Sequence, residues 1–148
     1  MKVFTSVFVL MMAVAVSGRA ESLWGTDFEA AKEQAAERGV PILVDFTGSD
    51  WCGWCIRLKD EVFTQDAFVT YAKENFVLLE LDFPMRKELP EALREQNEAL
   101  RERYRIRGFP TILLLDAEGE ELARTGYRPG GAEAYIEHLQ ELLAEVDD

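Results

Sequence analysis

The stretch Trp51-Cys52-Gly53-Trp54-Cys55 contains both cysteines of the chain. Two thiols separated by two residues can close a small disulfide when the backbone is helical, because residues i and i+3 lie on the same helix face. Residues 42–46 read Ile-Leu-Val-Asp-Phe, which predicts a short buried strand, and residues 47–50 are typical of a turn. The pattern therefore predicts a strand, a tight loop and a helix that begins at Cys52.

The two thiols are expected to differ in reactivity. Cys52 would lie at the helix N-terminus, where free backbone N–H groups and the positive end of the helix dipole favour a thiolate. Cys55 lies one turn further into the helix, lacks that field, and is expected to stay protonated and less exposed. We interpret Cys52 as the nucleophile and Cys55 as the resolving thiol of a redox-active disulfide.

Other uses of a cysteine pair fit this sequence less well. Structural zinc takes four Cys or His ligands, whereas the chain has two Cys and one histidine, His138, to which we assign no role. Covalent haem attachment needs a histidine directly after the second cysteine, where this chain has Ile56. A structural disulfide across so short a loop gains little chain entropy. The sequence therefore favours dithiol–disulfide exchange, with no metal and no dissociable cofactor.

Three segments resemble the thioredoxin superfamily in motif and in order. They are Val44-Asp45-Phe46, residues 51–55, and Tyr104-Arg105-Ile106-Arg107-Gly108-Phe109-Pro110-Thr111. The match spans nearly all of the chain after its first residues. It looks most like secreted thioredoxin-like proteins whose active-site loop reads Phe-Thr-Gly-Ser-Asp-Trp-Cys-Gly-Trp-Cys, as residues 46–55 do here. The resemblance implies a thioredoxin-like fold and thiol–disulfide oxidoreductase activity.

The remaining sequence patterns predict an α/β domain of that architecture. Thr26 and Glu29 fit a capping box at the start of an N-terminal helix, about 27–38, that Gly39 ends. Further helices are predicted at 52–63, 66–75, 90–104 and 132–146, and strands at 42–46, 76–82, 111–115 and 121–127. This order predicts a central mixed β-sheet flanked by α-helices, with an extra N-terminal helix, because a helical crossover joins parallel strands and a hairpin joins antiparallel ones.

Asp45 is the candidate proton acceptor. A carboxyl group in a strand of Ile, Leu, Val and Phe residues is costly to bury ionised, so its pKa is expected to rise. The resemblance implies that the aspartate of this motif accepts the proton of Cys55 when that thiol resolves the mixed disulfide. Two departures from the family are visible: the loop before Cys52 is one residue longer, and the strand with Glu80 lacks the family's lysine. The alternative is that Asp45 points to solvent at a strand end.

The resemblance also implies where a substrate binds. It implies a cis Phe109–Pro110 bond, with the Phe109 backbone opposite Cys52 and paired with an extended substrate segment. Gly108 fits a close approach of the substrate backbone, and Gly126 fits one on the other side of the groove.

The residues around the cysteines complete the predicted substrate site. Trp51 and Trp54 flank the pair, with Gly53 between the cysteines, and we expect one indole to pack and the other to contact partners. Aromatic side chains are more often core residues, which is the alternative for both. An Arg105 or Arg107 side chain that faced the groove would favour acidic substrates or lower the pKa of the first cysteine. The alternative for these arginines is a solvated helix end.

The first residues resemble a signal peptide. Lys2 precedes a nearly unbroken apolar run at 3–16, and Gly18-Arg19-Ala20 fits a cleavage site. We predict a signal peptide at 1–20, one thioredoxin-like domain at 21–148, and a periplasmic or secreted location. An uncleaved membrane anchor is the alternative, but the run is shorter than the roughly 20 apolar residues of a spanning helix.

Charge and motif together limit the partners. The 148 residues include 16 Lys and Arg against 28 Asp and Glu, a net charge of −12, and removal of Lys2 and Arg19 with the signal peptide takes it to −14. Such a body repels phosphate backbones and anionic lipids, so we expect no nucleic-acid partner. We predict a monomer that acts on protein or small-molecule disulfides.

The direction of the reaction follows less directly from the sequence. Gly53 and Trp54 stand between the cysteines, and neither is a histidine that would stabilise the thiolate further, as in strongly oxidising relatives. We therefore expect a reductase, which outside the cytoplasm needs an electron source such as a membrane donor. An oxidase or isomerase of secreted proteins is one alternative. A non-catalytic binding module that uses the groove beside Pro110 is another.

Overall fold

The computed structural model describes residues 22–147, so the predicted signal peptide and its alternative as an anchor lie outside the described residues. Five strands are present in them: β1 Trp24–Gly25, β2 Ile42–Thr47, β3 Val77–Asp82, β4 Thr111–Leu115 and β5 Glu121–Thr125. The helices of the same part of the chain are α1 Phe28–Arg38, α2 Gly53–Leu58, α3 Asp66–Asn75, α4 Glu91–Arg103 and α5 Gly131–Val146. A π-helical turn, Lys59–Phe63, follows α2 directly.

The strands form one mixed sheet in the order β1-β3-β2-β4-β5. β2 runs parallel to β3, and the register sets Asp45 opposite Glu80 and Thr47 opposite Asp82. β4 is antiparallel to both β2 and β5. The predicted α/β architecture is confirmed, because a helical crossover joins β2 to β3 and a tight turn joins β4 to β5.

The central strand β2 has helices on both of its faces. All six of its residues are buried, and their side chains alternate between two apolar cores. Val44 and Phe46 belong to the first core, which includes residues of α1 and α4. Leu43 belongs to the second core, with residues of α2, the π-helical turn, α3 and α5. Asp45 follows the alternation and falls on the second face, which α2 covers.

The N-terminal helix is capped one residue later than predicted. Asp27, and not Thr26, is the N-cap, and its Oδ1 accepts a hydrogen bond from the Ala30 backbone N–H at 2.9 Å. Asp and Thr both cap well, so the sequence pattern offered two adjacent candidates. Gly39 ends the helix in the left-handed conformation, with φ 65°, as predicted.

Helix α4 carries a buried polar residue on the face that packs against the sheet. Asn97 is 2% exposed, and its Nδ2 donates to the Asp82 backbone carbonyl at 3.0 Å. This bond ties α4 to the end of β3. Arg105 follows the C-cap of this helix with φ 53°, and it is the one non-glycine residue in the described part of the chain with positive φ. The chain then turns towards the segment at 108–110.

The described residues 22–147 include no helix that is long and apolar enough to cross a membrane.

The buried hydroxyl of Tyr104 gives a test of the first core. It donates to the Gly119 carbonyl at 2.6 Å and so ties α4 to the β4–β5 turn. We expect Tyr104→Phe to lower the free energy of unfolding by about 1 kcal/mol, because one buried hydrogen bond is lost while the ring stays. Urea denaturation would measure this at an unchanged m-value.

The matched control is Tyr71→Phe. The hydroxyl of Tyr71 makes no hydrogen bond within residues 22–147, so this variant should unfold at the same urea concentration as the unchanged protein. Equal losses in the two variants would contradict the role of the Tyr104 bond.

Candidate active site

The cysteine pair lies at the start of α2, after the loop that follows β2. Cys52 and Cys55 form a disulfide with a Cα–Cα distance of 5.2 Å. Gly53 is the first helical residue and Cys52 is the N-cap, with its Sγ accepting the Cys55 N–H at 3.2 Å. The predicted order of strand, tight loop and helix is confirmed, and the helix begins at Gly53, one residue after the predicted Cys52.

The two cysteines do not differ in burial as expected. Cys52 is 6% exposed and Cys55 is 5% exposed. What separates them is position, since only Cys52 stands ahead of the first helical N–H groups, where an anion is favoured. The assignment of Cys52 as nucleophile and Cys55 as resolving thiol stays a prediction.

Asp50 anchors the loop that carries the disulfide. Its carboxylate accepts hydrogen bonds from the backbone N–H groups of Met85, Arg86 and Lys87 at 2.9, 2.8 and 3.2 Å. These bonds lower the pKa of Asp50, and the bond from the Met85 N–H contributes most. The loop before Cys52 thus carries a carboxylate that fastens it to the segment after β3.

A second carboxylate holds the same loop from the end of β3. Asp82 is buried, and its two carboxylate oxygens accept the backbone N–H of Ser49 at 2.9 Å and the Ser49 hydroxyl at 2.5 Å. Lys87 Nζ lies 3.1 Å from the same carboxylate. Because Asp82 pairs with Thr47 across the two strands, this contact lies directly beside the start of the loop.

The two tryptophans each combine packing with exposure. Trp51 donates its Nε1–H to the Phe83 carbonyl at 2.7 Å and meets Phe109 edge-on at 5.8 Å, yet is 41% exposed. Trp54 is 55% exposed, and its ring lies 4.9 Å from that of Tyr127. The expectation that one indole packs while the other is exposed is therefore wrong, because each indole packs against an aromatic ring and is also exposed.

Gly48 is required by the position of the Trp51 indole. A Cβ at residue 48 would lie 2.4 Å from Cε2 of that ring, closer than any real contact. The indole has little freedom to move away, because its Nε1–H is bound to the Phe83 carbonyl. The glycine therefore permits the close seating of the indole on the active-site loop.

The Phe109–Pro110 bond is cis, as the resemblance implied. Gly126 lies against this segment, since a Cβ there would be 3.2 Å from the Pro110 carbonyl oxygen. A Cβ at Gly108 would meet nothing within 4 Å, so no contact inside the described chain demands glycine at that position. The close approach of a substrate backbone to Gly108 stays a prediction.

A cleft of about 870 Å³ begins at Trp51 and Phe109 and continues along α4. Arg101 lines it, with its guanidinium over the rings of Phe83 and Phe109 at 5.8 and 5.9 Å. Arg105 and Arg107 do not line this cleft and are exposed, so the structure agrees with the alternative of a solvated helix end. Sequence patterns gave no signal for Arg101, because its partners are distant in the chain.

Asp45 is buried, and the alternative that it points to solvent is wrong. It is 6% exposed, and its Oδ1 has no hydrogen-bond partner within the described residues. Burial raises the pKa of Asp45 well above its ordinary value, and the nearby carboxylates of Glu80 and Asp82 raise it further. Lys59 in the π-helical turn opposes this shift. Sequence reasoning missed Lys59, because a lysine was sought on the neighbouring strand.

The rest of the described chain offers no competing metal site. Within residues 22–147, no three His, Cys, Asp or Glu side chains are grouped so that they could hold a metal ion. His138 lies on α5, where its Nε2 is 2.8 Å from the Thr125 hydroxyl, and burial lowers its pKa. The arrangement around Cys52 is suited to nucleophilic sulfur chemistry, because the loop before it is held at Ser49 and Asp50 and a buried acid lies on the sheet face that α2 covers.

The Asp50 anchor makes a prediction about pH. A pKa lowered in the folded state means that the carboxylate adds stability above its unfolded pKa, and that this stability is lost as the pH falls through the folded pKa. We expect Asp50→Ala to lower the free energy of unfolding at about pH 7 and to have little effect at about pH 2.5. Urea titrations at the two pH values measure the difference.

Asp60→Ala is the matched control for this experiment. The Asp60 carboxylate makes no hydrogen bond or ion pair in the part of the chain that the structure describes, so its removal should change stability little at either pH. An Asp50→Ala deficit of the same size at both pH values would contradict the anchoring by a charged carboxylate.

Comparison with known proteins agrees with this geometry. Residues 28–142 match the family described as "Thioredoxin-like domain". The chain is 37% identical over 124 residues to the "Disulfide bond reductase DsbH" of Chlamydia pneumoniae, a match that covers 84% of this chain and 75% of that protein. It is 33% identical over 104 residues to the "Thioredoxin-related protein DsbJ" of the same organism, of which it spans 30%.

A solved structure has the same fold over almost the whole chain. The "DsbH Oxidoreductase" structure superimposes with a TM-score of 0.79 at 34% identity and covers 94% of this chain and 95% of its own. The chain therefore belongs to the thioredoxin-like family, and its paired Cys52 and Cys55 make it a thiol–disulfide oxidoreductase of that family.

Proposed function

We propose that this protein is an exported reductase of protein disulfides that acts through Cys52 and Cys55. The observation that carries the proposal is the disulfide at the N-terminus of α2, next to a loop that Asp50 and Asp82 hold in place. The reducing direction is supported by Gly53 and Trp54, neither of which is histidine, and by the 37% identical relative whose name is a disulfide bond reductase. Export is supported by the apolar run at 3–16.

The reaction begins from the dithiol form. The Cys52 thiolate attacks one sulfur of a substrate disulfide, a mixed disulfide forms, and the departing substrate thiolate takes a proton from water. Cys55 then gives its proton to the Asp45 carboxylate and attacks Cys52 Sγ. The mixed disulfide breaks, the second substrate thiolate leaves and is protonated, and two electrons have passed to the substrate. An outside electron donor, for which a membrane protein is our candidate, restores the dithiol.

Exposed apolar side chains near the disulfide favour protein substrates over small ones. Of the five large apolar side chains that are exposed in the described residues, Trp51, Trp54 and Ile56 lie in or beside the Cys52–Cys55 motif. Met85, which is 76% exposed, follows on the segment that Asp50 holds. Clustered exposed apolar side chains are typical of a surface that contacts another protein. The cleft beside Trp51 and Phe109 extends this surface.

The roles of the two cysteines can be separated by single replacements. We expect Cys55→Ser to accumulate a covalent mixed disulfide with a protein substrate, because the resolving thiol is missing. Cys52→Ser should trap none, because the attacking thiol is missing. Mass spectrometry under non-reducing conditions distinguishes the two outcomes, and trapping by Cys52→Ser instead would reverse the assignment.

The direction is tested by the equilibrium potential of the pair against glutathione. A value near the thioredoxin range of about −270 mV would support a reductase, whereas a value towards about −120 mV would make the protein an oxidant. A shuffling assay on a scrambled multi-disulfide protein tests the isomerase alternative.

The proton acceptor is tested with Asp45→Asn, which keeps the shape and removes the base. We expect resolution of the mixed disulfide to slow at least about tenfold at neutral pH. Burial raises the pKa of Asp45, so between the unfolded and the folded pKa only the unfolded chain gives up this proton, and the free energy of unfolding falls as the pH rises through that window. The variant should therefore unfold at higher urea concentration than the unchanged protein at neutral pH and lose that advantage in acid.

This stability measurement separates misfolding from a lost base. Unchanged resolution kinetics in a variant that has gained stability would exclude Asp45 as the proton acceptor.

A further inference from the structure

The Trp54 ring lies beside the disulfide without a hydrogen bond of its own. It is 55% exposed, and its indole N–H has no partner in the described part of the chain. Trp51, by contrast, donates its indole N–H to the Phe83 carbonyl. The contacts of Trp54 are the ring of Tyr127, at 4.9 Å, and the guanidinium of Arg57, 5.5 Å from the centre of the indole. Beyond the helix backbone, the position of the Trp54 ring therefore depends on these two side chains.

Glu61 holds both of these neighbours. Its Oε1 accepts the Nε–H of Arg57 at 2.5 Å, and its Oε2 accepts the hydroxyl of Tyr127 at 2.6 Å. The Arg57 guanidinium also lies over the Tyr127 ring, at 5.5 Å. We call Arg57, Glu61 and Tyr127 the clamp. One carboxylate thus fixes, through its two oxygens, the two side chains that the exposed indole packs against.

The two ends of the Glu61–Tyr127 bond rest on the same apolar core. Phe63, in the π-helical turn that carries Glu61, is buried in the second core, and its ring meets that of Tyr135 edge-on at 6.1 Å. The Tyr135 hydroxyl donates to the Gly126 carbonyl at 2.8 Å, which holds the backbone directly before Tyr127. π-helical turns are frequent at functional sites, and side chains fixed by packing and hydrogen bonds make a preorganised surface. The clamp is therefore built before any partner arrives.

The clamp also joins the two segments that border the predicted substrate groove. Arg57 follows Cys55 by two residues on the helix that carries the disulfide. Tyr127 follows Gly126, which lies against the Pro110 carbonyl of the cis segment. A polypeptide that brings its disulfide to Cys52 places its flanking residues near these segments. A small disulfide brings almost nothing besides its sulfur atoms, so the two kinds of substrate differ in how much they can use the Trp54 ring.

We propose that the clamp positions Trp54 as a contact for the polypeptide around a substrate cysteine, and so decides how well protein disulfides are accepted relative to small ones. This role rests on the proposed function and adds to it three positioning residues, none of which touches the reacting sulfur atoms. A ring that is already ordered loses little conformational entropy when a partner packs on it, whereas a mobile ring must first be ordered. The covalent steps of the exchange are unchanged.

The first test compares a protein substrate with a small one. Glu61→Gln and Tyr127→Phe each remove a bond of the clamp and keep the shape of the side chain. We measure kcat/KM for reduction of insulin and of hydroxyethyl disulfide by the reduced protein. The ratio of the two values should fall about threefold to tenfold in each variant, mainly through KM for insulin, because an aromatic contact is weakened.

Asp60→Asn is the matched control. Asp60 precedes Glu61 on the same π-helical turn, and its carboxylate makes no hydrogen bond or ion pair in the part of the chain that the structure describes. This variant should leave the ratio unchanged. Trp54→Ala should lower the ratio, and adding Glu61→Gln to it should lower the ratio no further, because the clamp acts through that ring. A general structural defect would instead add to the effect of Trp54→Ala.

The second test follows the order of the indole directly. The heteronuclear NOE of the Trp54 indole N–H reports motion on the picosecond to nanosecond timescale, and the signal is identified by its absence in Trp54→Ala. It should fall in Glu61→Gln and in Tyr127→Phe. The Trp51 indole, which the Phe83 carbonyl holds, should keep its value in both variants.

An unchanged ratio in both variants, unchanged order of the Trp54 indole, or a loss that adds to that of Trp54→Ala would each overturn the role of the clamp. The proposed function fails separately, if the equilibrium potential marks the protein as an oxidant. The ratio is then measured in the oxidising direction, with a reduced protein and with dithiothreitol as substrates of the disulfide form, and the same outcomes decide whether the clamp acts.

Discussion

The parallel pairing of β2 with β3 is the interaction on which the rest of the site depends. Its register sets Thr47 opposite Asp82 at the ends of the two strands, and the Phe83 N–H extends it by donating to the Thr47 carbonyl at 2.8 Å. The loop that leaves β2 carries the cysteines, and the segment that leaves β3 carries the groups that hold this loop. A slip of one residue would turn Asp45 to the opposite face of the sheet and separate Asp82 from Ser49.

Buried strand and helix patterns carried enough information to predict the fold. β2 and β3 are short and mainly apolar, and α3 occupies the predicted residues 66–75 because its apolar positions have a helical period. β1 was missed because two residues are too few to form a pattern. The π-helical turn was missed because one extra residue per turn leaves little trace in the spacing of apolar side chains.

The cysteines and the burial of Asp45 could also be predicted, since each depends on residues close in sequence. The partners of Asp50, Asn97 and Lys59 could not, because each contact joins segments that only the folded sheet brings together. In the sequence, the strand with Glu80 lacks the lysine that the thioredoxin family has there. In the folded chain, Lys59 of the π-helical turn is the cation that opposes the raised pKa of Asp45, and Glu80 lies beside Asp45 as a second acid.

The Asp50 anchor has a consequence for how this surface can diverge. All three of its hydrogen bonds go to backbone N–H groups, and none goes to a side chain of residues 85–87. Any residue except proline supplies such a group, so the side chains at 85 and 86 can vary while the path of the main chain is held, whereas the Lys87 side chain also pairs with Asp82. Met85 is 76% exposed at this position. The exposed side chains at 85 and 86 can thus change, by evolution or by redesign, without moving the sulfur atoms.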